Sequence, residues 1–297
     1  MNLGIIFGFL GYMFFSLMDG VVKSVGTGIN VFEVAFFITL FSSIPLFFAR
    51  PKHERWRDIF KATHPKIIIF RALMSTLGGL FAFYSFTRLP MAEVYALIFL
   101  MPMIVTLLSV FILKEPVGWR RTTLIITGFL GVLLVIKPGF QTLTLTHLAA
   151  GLISVTGAIA TICLRKIVQD ERRVSLLGMT ILFVLSVNFG LMMITGFEVP
   201  SLDMLVRLAI AGLLAGCGGL MIIKASSLAQ ANKIAPTQYS QMGWAVLIGI
   251  FFYNEIPDFY TYVGLVIIAI SGFLTLLREE TRFGWWSRMT IILKTRI

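Results

Sequence analysis

The sequence predicts an all-α integral membrane protein in which ten transmembrane helices form a 5+5 inverted-topology repeat. The first observation is composition: the 297 residues are 58% hydrophobic and 13% charged, with mean hydropathy +0.92, which leaves too little polar surface for a soluble globule. The second is that apolar runs near the ~20 residues needed to cross a bilayer recur along the chain. The third is that the stretch from Tyr84 to Gly139 returns in weaker form from Lys224 to Arg278.

The chain contains ten such apolar segments. The first is expected to remain in the mature protein, because it lacks a basic leader and an A-x-A site and carries Asp19. Cys163 and Cys217 both fall inside apolar segments, so no disulfide framework is expected. In chain order the segments are Leu3–Ser24, Val31–Ala49, Lys66–Phe86, Met91–Leu113, Arg120–Lys137, His147–Ile167, Ser175–Gly196, Asp203–Ala229, Ile234–Tyr253 and Phe259–Leu277.

The repeated stretch divides the chain into two copies. When Glu115 is set on Glu255, Phe99 aligns with Tyr239. The hinge KEPVGWRR of the first copy carries three basic residues, whereas its counterpart NEIPDFY carries two acids and no basic residue. We therefore expect a first repeat over residues 1–140, a second over 141–280 and a basic cytoplasmic tail over 281–297. Further aligned pairs are Ala92 with Asn232, Leu113 with Tyr253 and, after one inserted residue, Gly131 with Gly272.

The basic residues orient the segments. With the N-terminus inside, the cytoplasmic loops and tail hold 19 Lys and Arg, and the outer loops hold four. This positive-inside bias places both termini in the cytoplasm of a multi-pass protein of the cell (inner) membrane. The net charge of +11 lies mostly in these loops, which indicates topology and anionic lipid headgroups rather than nucleic acid. Because each copy holds an odd number of segments, the copies run in opposite directions, as in carriers that alternate access around a midplane site.

Several stretches resemble one transporter family. They are FFSLMDGVVKSV and FEVAFF in segments 1 and 2, FRAL and the Tyr84–Gly139 stretch in segments 3 to 5, and NEIPDFYTYVGLVIIAISG around segment 10. On these motifs the chain resembles the EamA-type branch of the drug/metabolite transporter superfamily to about Glu280, although Ile38 stands where many relatives have an arginine. The resemblance implies a ten-helix bundle around a central cavity walled by segments 1, 3, 4, 6, 8 and 9.

The same resemblance implies a function. Its members are carriers, so the chain is expected to move a small organic metabolite, such as an amino acid derivative, S-adenosylmethionine, riboflavin or a metallophore, by alternating access. Export of drugs or toxic metabolites by the same fold is the open alternative. The expected partners are the small-molecule substrate and the lipid bilayer, with a homodimer left open and no nucleic acid.

Polar residues at membrane depth are the candidates for substrate binding, because each charged group costs about 3 kcal/mol there unless it faces protein or water. In segment 9, Gln238, Gln241 and Trp244 are spaced to share one helix face. Met101 and Pro102 interrupt segment 4 about midway. Hydrogen bonding between helices is the alternative role for such residues. The predicted substrate-binding residues are Tyr84, Glu93, Tyr95, Lys224, Gln238, Tyr239, Gln241 and Trp244.

Charged residues inside or beside the segments are candidates for coupling or gating. Asp19 and Lys23 lie four residues apart on one helix face and are predicted to pair. Arg71, in segment 3, is interpreted as a snorkelling or structural cation or as a substrate clamp. Glu115 and Glu255 end their segments at proline-containing hinges, where they are expected to act as caps or gates.

Catalysis is the competing class, and the sequence does not favour it. His53, His64 and His147 lie in loops or at a helix end, and no H-E-x-x-H, G-x-S-x-G or phosphate-binding glycine loop is present. A channel is expected to carry a filter-like repeat of charges or carbonyls instead of an inverted duplication. We therefore expect a carrier with no catalytic residue, no metal site and no cofactor.

Overall fold

The computed structural model describes residues 3–48, 54–112, 119–137, 142–168, 170–228 and 234–274. All regular structure in these ranges is helical, which confirms the predicted all-α class. Two short 3₁₀ helices cover Trp56–Asp58 and Ala235–Tyr239. The α-helices are α1 Leu3–Val25, α2 Val31–Phe47, α3 Pro65–Phe86, α4 Met91–Ile98, α5 Met101–Ile112, α6 Trp119–Ile136, α7 Leu145–Ile167, α8 Arg173–Thr195, α9 Leu202–Leu228, α10 Ser240–Tyr253 and α11 Phe259–Leu274.

Six spans of the described chain are long and apolar enough to cross a membrane. They are α1, α3, α4 together with α5, α7, α8, and α9 up to Ala225, each 22 to 24 residues long. Three apolar helices are shorter, namely α2, α11 and the part of α6 from Thr122 to Ile136. The chain is therefore a multi-span membrane protein, and the arrangement of ten crossing helices in two inverted fives stays a prediction.

Local signals in the sequence explain several helix starts. Asn30 accepts the backbone N–H of Phe32 at 3.0 Å and so caps α2. Helix α3 begins at Pro65, whose missing N–H is not needed in a first turn. Helix α7 follows Thr144, which forms a capping box with His147. These starts agree with the predicted segment starts to within two residues.

Two of the predicted segments change helical geometry along their length. Helices α4 and α5 are separated at Phe99, because Pro102 has no N–H to donate to the carbonyl four residues earlier. The described part of segment 9 begins as the 3₁₀ helix Ala235–Tyr239 and becomes α-helical after it. Phe99 and Tyr239, which the repeat alignment pairs, therefore both lie where the helical geometry changes.

Close contacts between helices depend on glycines, because small residues let membrane helices approach closely. Helix α1 lies against α9, and a Cβ added to Gly11 would lie 2.8 Å from the Ile222 side chain. Helix α2 crosses α9 so closely that a Cβ on Gly216 would lie 2.6 Å from the Ser42 carbonyl oxygen. Helices α1, α2 and α9 therefore pack as one group, while α3 packs mainly along α7.

Helix α4 is almost entirely buried. Met91, Val94, Tyr95 and Ala96 are each at most 1% exposed. The helix contacts α6, α7 and α10, so it connects parts of both predicted repeats. The buried Tyr95 hydroxyl of α4 must therefore find a protein partner.

Candidate functional site

Lys23 on α1 joins several elements at the end of the bundle where α1, α3 and α10 finish. Its Nζ lies 2.6 Å from Glu255 Oε1. The same ammonium donates to the carbonyl oxygens of Phe86 and Leu89. The other carboxylate oxygen of Glu255 accepts the Met91 N–H at 2.9 Å, so it caps α4. We call this contact the Lys23–Glu255 bridge, and we call this part of the bundle the Lys23 end.

The chain that follows α10 positions Glu255 for the bridge. Asn254 adopts φ 54°, a left-handed conformation that asparagine tolerates better than most residues, and it ends the helix. The Glu255 N–H then donates to the Gly249 carbonyl at 2.9 Å, which folds the chain back on the helix end. The predicted Asp19–Lys23 pair is wrong, because Lys23 binds Glu255 and Asp19 binds a residue of α4.

Asp19 lies one turn before Lys23 on α1 and binds Tyr95. The Tyr95 hydroxyl donates to Asp19 Oδ2 at 2.5 Å, and Ser16 Oγ lies 3.3 Å from the same hydroxyl. The Gln241 side chain of α10 also faces this hydroxyl. Because Ser16, Tyr95 and Gln241 are buried, the cluster joins α1, α4 and α10 inside the protein. Tyr95 and Gln241, both predicted to bind substrate, are thus brought together at a helix interface.

Glu93 contacts α7 through His147. Its Oε2 lies 3.3 Å from His147 Nε2. His147 Nδ1 accepts the Thr144 N–H at 3.1 Å, and Nε2 is the ring nitrogen nearest the carboxylate. The position of His147 at a helix end does not indicate from the sequence which carboxylate it will meet.

A charged cavity of about 410 Å³ lies at the Lys23 end, and we call it the vestibule. Its wall contains three acids, Glu93, Glu255 and Asp258, and the basic residue Lys137. Lys137 pairs with Asp258, and this ammonium, followed by the hydrogen bonds from Thr261, lowers the pKa of Asp258 to about 2. With three acids and one basic residue, the wall of the vestibule is mainly acidic.

A second cavity, of about 310 Å³, lies beside the break between α4 and α5, and we call it the ring cavity. Phe99 and Tyr239 stack there with ring centroids 5.1 Å apart and planes at 18°. Gly272 makes room for this pair, since a Cβ at that position would lie 2.0 Å from the Tyr239 ring. Arg165 and Gln238 contribute polar groups to the wall. Other polar residues of the wall are Thr106, Thr161 and Ser271.

The face predicted for segment 9 is divided between two environments. Gln238 lines the ring cavity, whereas Gln241 is buried and Trp244 packs against the hydrophobic core. The cause is local, because Gln238 lies in a 3₁₀ helix with about 3.0 residues per turn and the other two lie in an α-helix with about 3.6. The helix face predicted from α-helical spacing therefore ends at Tyr239, and Gln238 lies in a different environment from Gln241 and Trp244.

Three of the remaining predicted residues, Arg71, Tyr84 and Lys224, line neither cavity. Arg71 Nη1 lies 3.1 Å from a threonine hydroxyl of α8, so it joins α3 to α8. The Arg88 guanidinium lies 4.0 Å from the centre of the Tyr84 ring. Lys224 is exposed on α9. Glu115 lies outside the described residues.

Almost the whole chain matches one protein family. The model of the EamA-like transporter family covers residues 2–137 and matches again over residues 144–277. The chain belongs to this family. As an EamA-family protein it is a membrane transporter of the drug/metabolite transporter superfamily, and not an enzyme.

The EamA-family transporter is similar along most of its length to proteins of known name. It is 28% identical over 277 residues to the S-adenosylmethionine uptake transporter of Rickettsia prowazekii (strain Madrid E), covering 93% of each chain. It is 23% identical over 273 residues to the pseudopaline exporter CntI of Pseudomonas aeruginosa (strain UCBPP-PA14), covering 90% of this chain and 94% of the other. A solved crystal structure, 13% identical, matches with a TM-score of 0.63 over 94% of this chain and 98% of that chain, which shows a shared fold.

Proposed function

We propose that this EamA-family transporter is a carrier that moves S-adenosylmethionine, or a chemically similar nucleoside metabolite, by alternating access. The observation that carries the proposal is the ring cavity, where the Phe99–Tyr239 pair adjoins a space with polar walls. A purine ring stacks favourably on aromatic side chains, at about 1–3 kcal/mol per base. The similarity to S-adenosylmethionine uptake transporters over nearly the whole chain supports the same substrate class.

The charges of the two cavities suit the groups of this substrate. S-adenosylmethionine carries a sulfonium cation, an amine and a carboxylate. The Glu93 carboxylate of the vestibule attracts a cation, whereas Asp258 is already paired with Lys137. The Arg165 guanidinium of the ring cavity suits a carboxylate. We assign direct substrate contact to Gln238 and Tyr239.

Two residues of the buried cluster are assigned an indirect role in the same proposal. Tyr95 and Gln241 lie at the interface of α1, α4 and α10, where Tyr95 binds Asp19 and Gln241 faces the Tyr95 hydroxyl. We propose that this cluster sets the relative positions of the helices that surround the substrate path. Trp244 and Lys224 have no place in the proposed site, because one packs in the core and the other is exposed on α9.

Two inverted repeats of five helices account for alternating access in this proposal. We assign the first repeat to residues 1–140, the second to 141–280 and a basic tail to 281–297. Support comes from the family model, which matches once in each half, and from the stacking of Phe99 on Tyr239, which is expected of equivalent residues near a pseudo-two-fold axis. The bias of 19 to four basic residues supports an inner-membrane location with both termini in the cytoplasm.

In this orientation the Lys23 end faces outside and is closed. The Lys23–Glu255 bridge ties α1 to α4 and to the chain after α10, so it joins the two proposed repeats at that end. The ring cavity reaches toward the opposite end, where Arg165 lies in the last turn of α7. We therefore assign the described arrangement to an inward-facing state, and transport requires the bridge to break.

Uptake into proteoliposomes tests the proposal. Radiolabelled S-adenosylmethionine is expected to enter saturably, and unlabelled substrate on the far side is expected to accelerate it by counterflow. Tyr239→Ala is expected to raise the half-saturation concentration about 5- to 150-fold, the equivalent of losing about 1–3 kcal/mol of stacking. Tyr262→Ala removes an exposed ring of α11 and is the matched control, with no change expected.

Three results would contradict the proposal. Folded, reconstituted protein that gives no saturable flux of S-adenosylmethionine contradicts the substrate class. Conductance without counterflow contradicts a carrier mechanism of any kind. A normal half-saturation concentration in Tyr239→Ala contradicts the assignment of the ring cavity.

Export is a second candidate function, and the similarity to a pseudopaline exporter favours it. Pseudopaline is the substrate in that relative's name, and the candidate substrate proposed here is a metal-chelating amino acid derivative. Comparison of right-side-out and everted membrane vesicles distinguishes the two directions. Accumulation of S-adenosylmethionine only in right-side-out vesicles supports uptake, and accumulation only in everted vesicles supports export.

A further inference from the structure

An apolar groove of about 160 Å³ lies at the end of the bundle opposite Lys23, between α2 and the start of α8. Its walls include Leu46 on α2 and Ile181 on α8. Trp56, from the chain between α2 and α3, closes one side and stacks on Phe47 with ring centroids 4.6 Å apart and planes at 10°. Tryptophan is enriched where a membrane protein meets the headgroup region of the bilayer. The Trp56 ring therefore suits the depth where lipid headgroups meet acyl chains.

The groove is preformed, because its loop wall is bonded to α8. The Glu54 carboxylate accepts the backbone N–H groups of Arg173 at 3.2 Å and Val174 at 2.7 Å, so it caps α8 from outside that helix. The Ser175 hydroxyl donates to the Asp58 carbonyl at 2.9 Å. These bonds fix the chain around Trp56 to the start of α8, and the groove keeps its shape without a ligand.

The acids near the groove are already engaged. The Asp58 carboxylate lies 2.9 Å from Lys61 Nζ and 3.1 Å from Arg172 Nη1. Glu171 accepts the His64 N–H, and Asp170 lies 3.8 Å from the His64 ring. The Glu54 carboxylate caps α8, as described above.

Arg173 lies in the groove wall and is exposed. Within the described ranges its guanidinium forms no ion pair with an acid. A guanidinium binds phosphate oxygens well, because its N–H groups form two parallel hydrogen bonds. One end of the apolar groove is therefore suited to a phosphate group.

We propose that this groove binds an anionic phospholipid, with the headgroup phosphate on Arg173 and an acyl chain between α2 and α8. A small soluble anion would satisfy the guanidinium and leave the apolar walls in contact with water. A zwitterionic lipid would fill the walls and supply less charge to the cation. An anionic phospholipid matches both features at once, and basic pockets between membrane helices bind such headgroups. This site is separate from the vestibule and from the ring cavity.

Fluorescence quenching by brominated lipids tests the proposal in the full-length protein. Trp56 is one of five tryptophans, so its signal is taken as the difference between the native protein and Trp56→Phe. Brominated phosphatidylglycerol is expected to quench half of the Trp56 fluorescence at a mole fraction about fivefold lower than brominated phosphatidylcholine requires. This ratio corresponds to the binding free energy of about 1 kcal/mol expected for one basic residue at an anionic surface.

Arg173→Gln is expected to remove this fivefold preference, because it removes the charge and keeps the apolar walls. Arg88→Gln, which removes a basic residue at the Lys23 end, is the matched control and is expected to keep the preference. Equal quenching by the two lipids in the native protein, or an unchanged preference in Arg173→Gln, would overturn the proposal.

Two further measurements complete the test. Soluble glycerol 3-phosphate is expected to compete poorly, and competition as effective as that of phosphatidylglycerol would mean a site for a free phosphate and not for a lipid. If Arg173→Gln does not fold, Ser43→Phe fills the groove from the α2 wall and leaves Arg173 in place. That variant is expected to protect Trp56 from both brominated lipids, and unchanged quenching in it would also overturn the proposal.

Discussion

The substitution Glu255→Gln tests whether the Lys23–Glu255 bridge holds the Lys23 end closed. The amide oxygen of glutamine can still accept the Met91 N–H, so the α4 cap is retained. The substitution therefore removes mainly the negative charge opposite Lys23. Lys23 keeps the carbonyl acceptors of Phe86 and Leu89, so its ammonium is not left without partners.

The expected effect lies between two limits. A solvent-exposed ion pair contributes about 0–1 kcal/mol, whereas removing one partner of a buried pair costs about 3–5 kcal/mol. The side chains of Lys23 and Glu255 are 11% and 21% exposed, and the retained carbonyl bonds offset part of the loss. We therefore expect the closed state to lose about 2 kcal/mol, which raises the ratio of open to closed molecules about 30-fold.

Cysteine accessibility measures this ratio. Ser16 is buried on α1, two turns before Lys23, and it reports opening when replaced by cysteine in a chain whose two native cysteines are alanine. Its reaction with an impermeant maleimide is expected to be about 30-fold faster with Glu255→Gln than without it. The matched control is Asp203→Asn, because Asp203 and Arg207 form an exposed ion pair, 2.9 Å apart, at the same end of the bundle.

An unchanged labelling rate with Glu255→Gln would refute the reasoning, as would an equal increase with Asp203→Asn. Both outcomes count only for protein that elutes as a single folded species. Lys23→Met provides an independent check. Both substitutions remove the same ion pair, so their effects on the labelling rate should not be independent. The double variant Lys23→Met, Glu255→Gln is expected to be labelled more slowly than the product of the two single-variant increases predicts.

Tyr95→Phe removes the hydrogen bond to Asp19 and is expected to lower the free energy of unfolding by about 1.5–3 kcal/mol, measured by thermal denaturation in detergent; an unchanged midpoint would contradict the buried cluster. Gly272→Ala places a Cβ 2.0 Å from the Tyr239 ring and is expected to raise the half-saturation concentration for uptake, with no further rise when Tyr239→Ala is added. Acid titration of the melting temperature tests Asp258: its folded pKa of about 2 lies below the ordinary 3.8, so its ion pair stabilises the fold above about pH 4, and this contribution is lost as the pH falls through 2. Because Asp258 is exposed, the loss is at most about 1 kcal/mol, and the native protein and Asp258→Asn should converge at low pH.

The helix positions follow from the sequence because hydropathy and capping act locally. Asn30, Pro65 and Thr144 each start a helix for reasons that depend on their immediate neighbours, and the observed starts lie within two residues of the predicted ones. The alignment of the two copies also carries information, since it pairs Phe99 with Tyr239 and these rings stack. Local pattern and internal repeat therefore identify the elements and one pair of contacting residues.

The polar contacts could not be predicted in the same way. Spacing along α1 favours Asp19 as the partner of Lys23, yet the observed partner, Glu255, comes from the other half of the chain. Its position depends on the left-handed conformation of Asn254, which turns the chain back at the end of α10. The Glu93–His147 contact likewise requires knowledge of how α4 lies against α7. Such pairs are set by tertiary packing, which helical periodicity does not encode.

Glu255 has two bonds that end on a single carboxylate, one to the Lys23 ammonium and one to the Met91 N–H. Because this carboxylate is one rigid group, a movement that carries the chain after α10 away from the bundle breaks both bonds in the same event. Their free energies therefore add in one activation barrier and are not spent in successive small steps. In the proposed alternating-access cycle such a barrier would make opening of the Lys23 end rare and abrupt, and little substrate would leak between transport cycles.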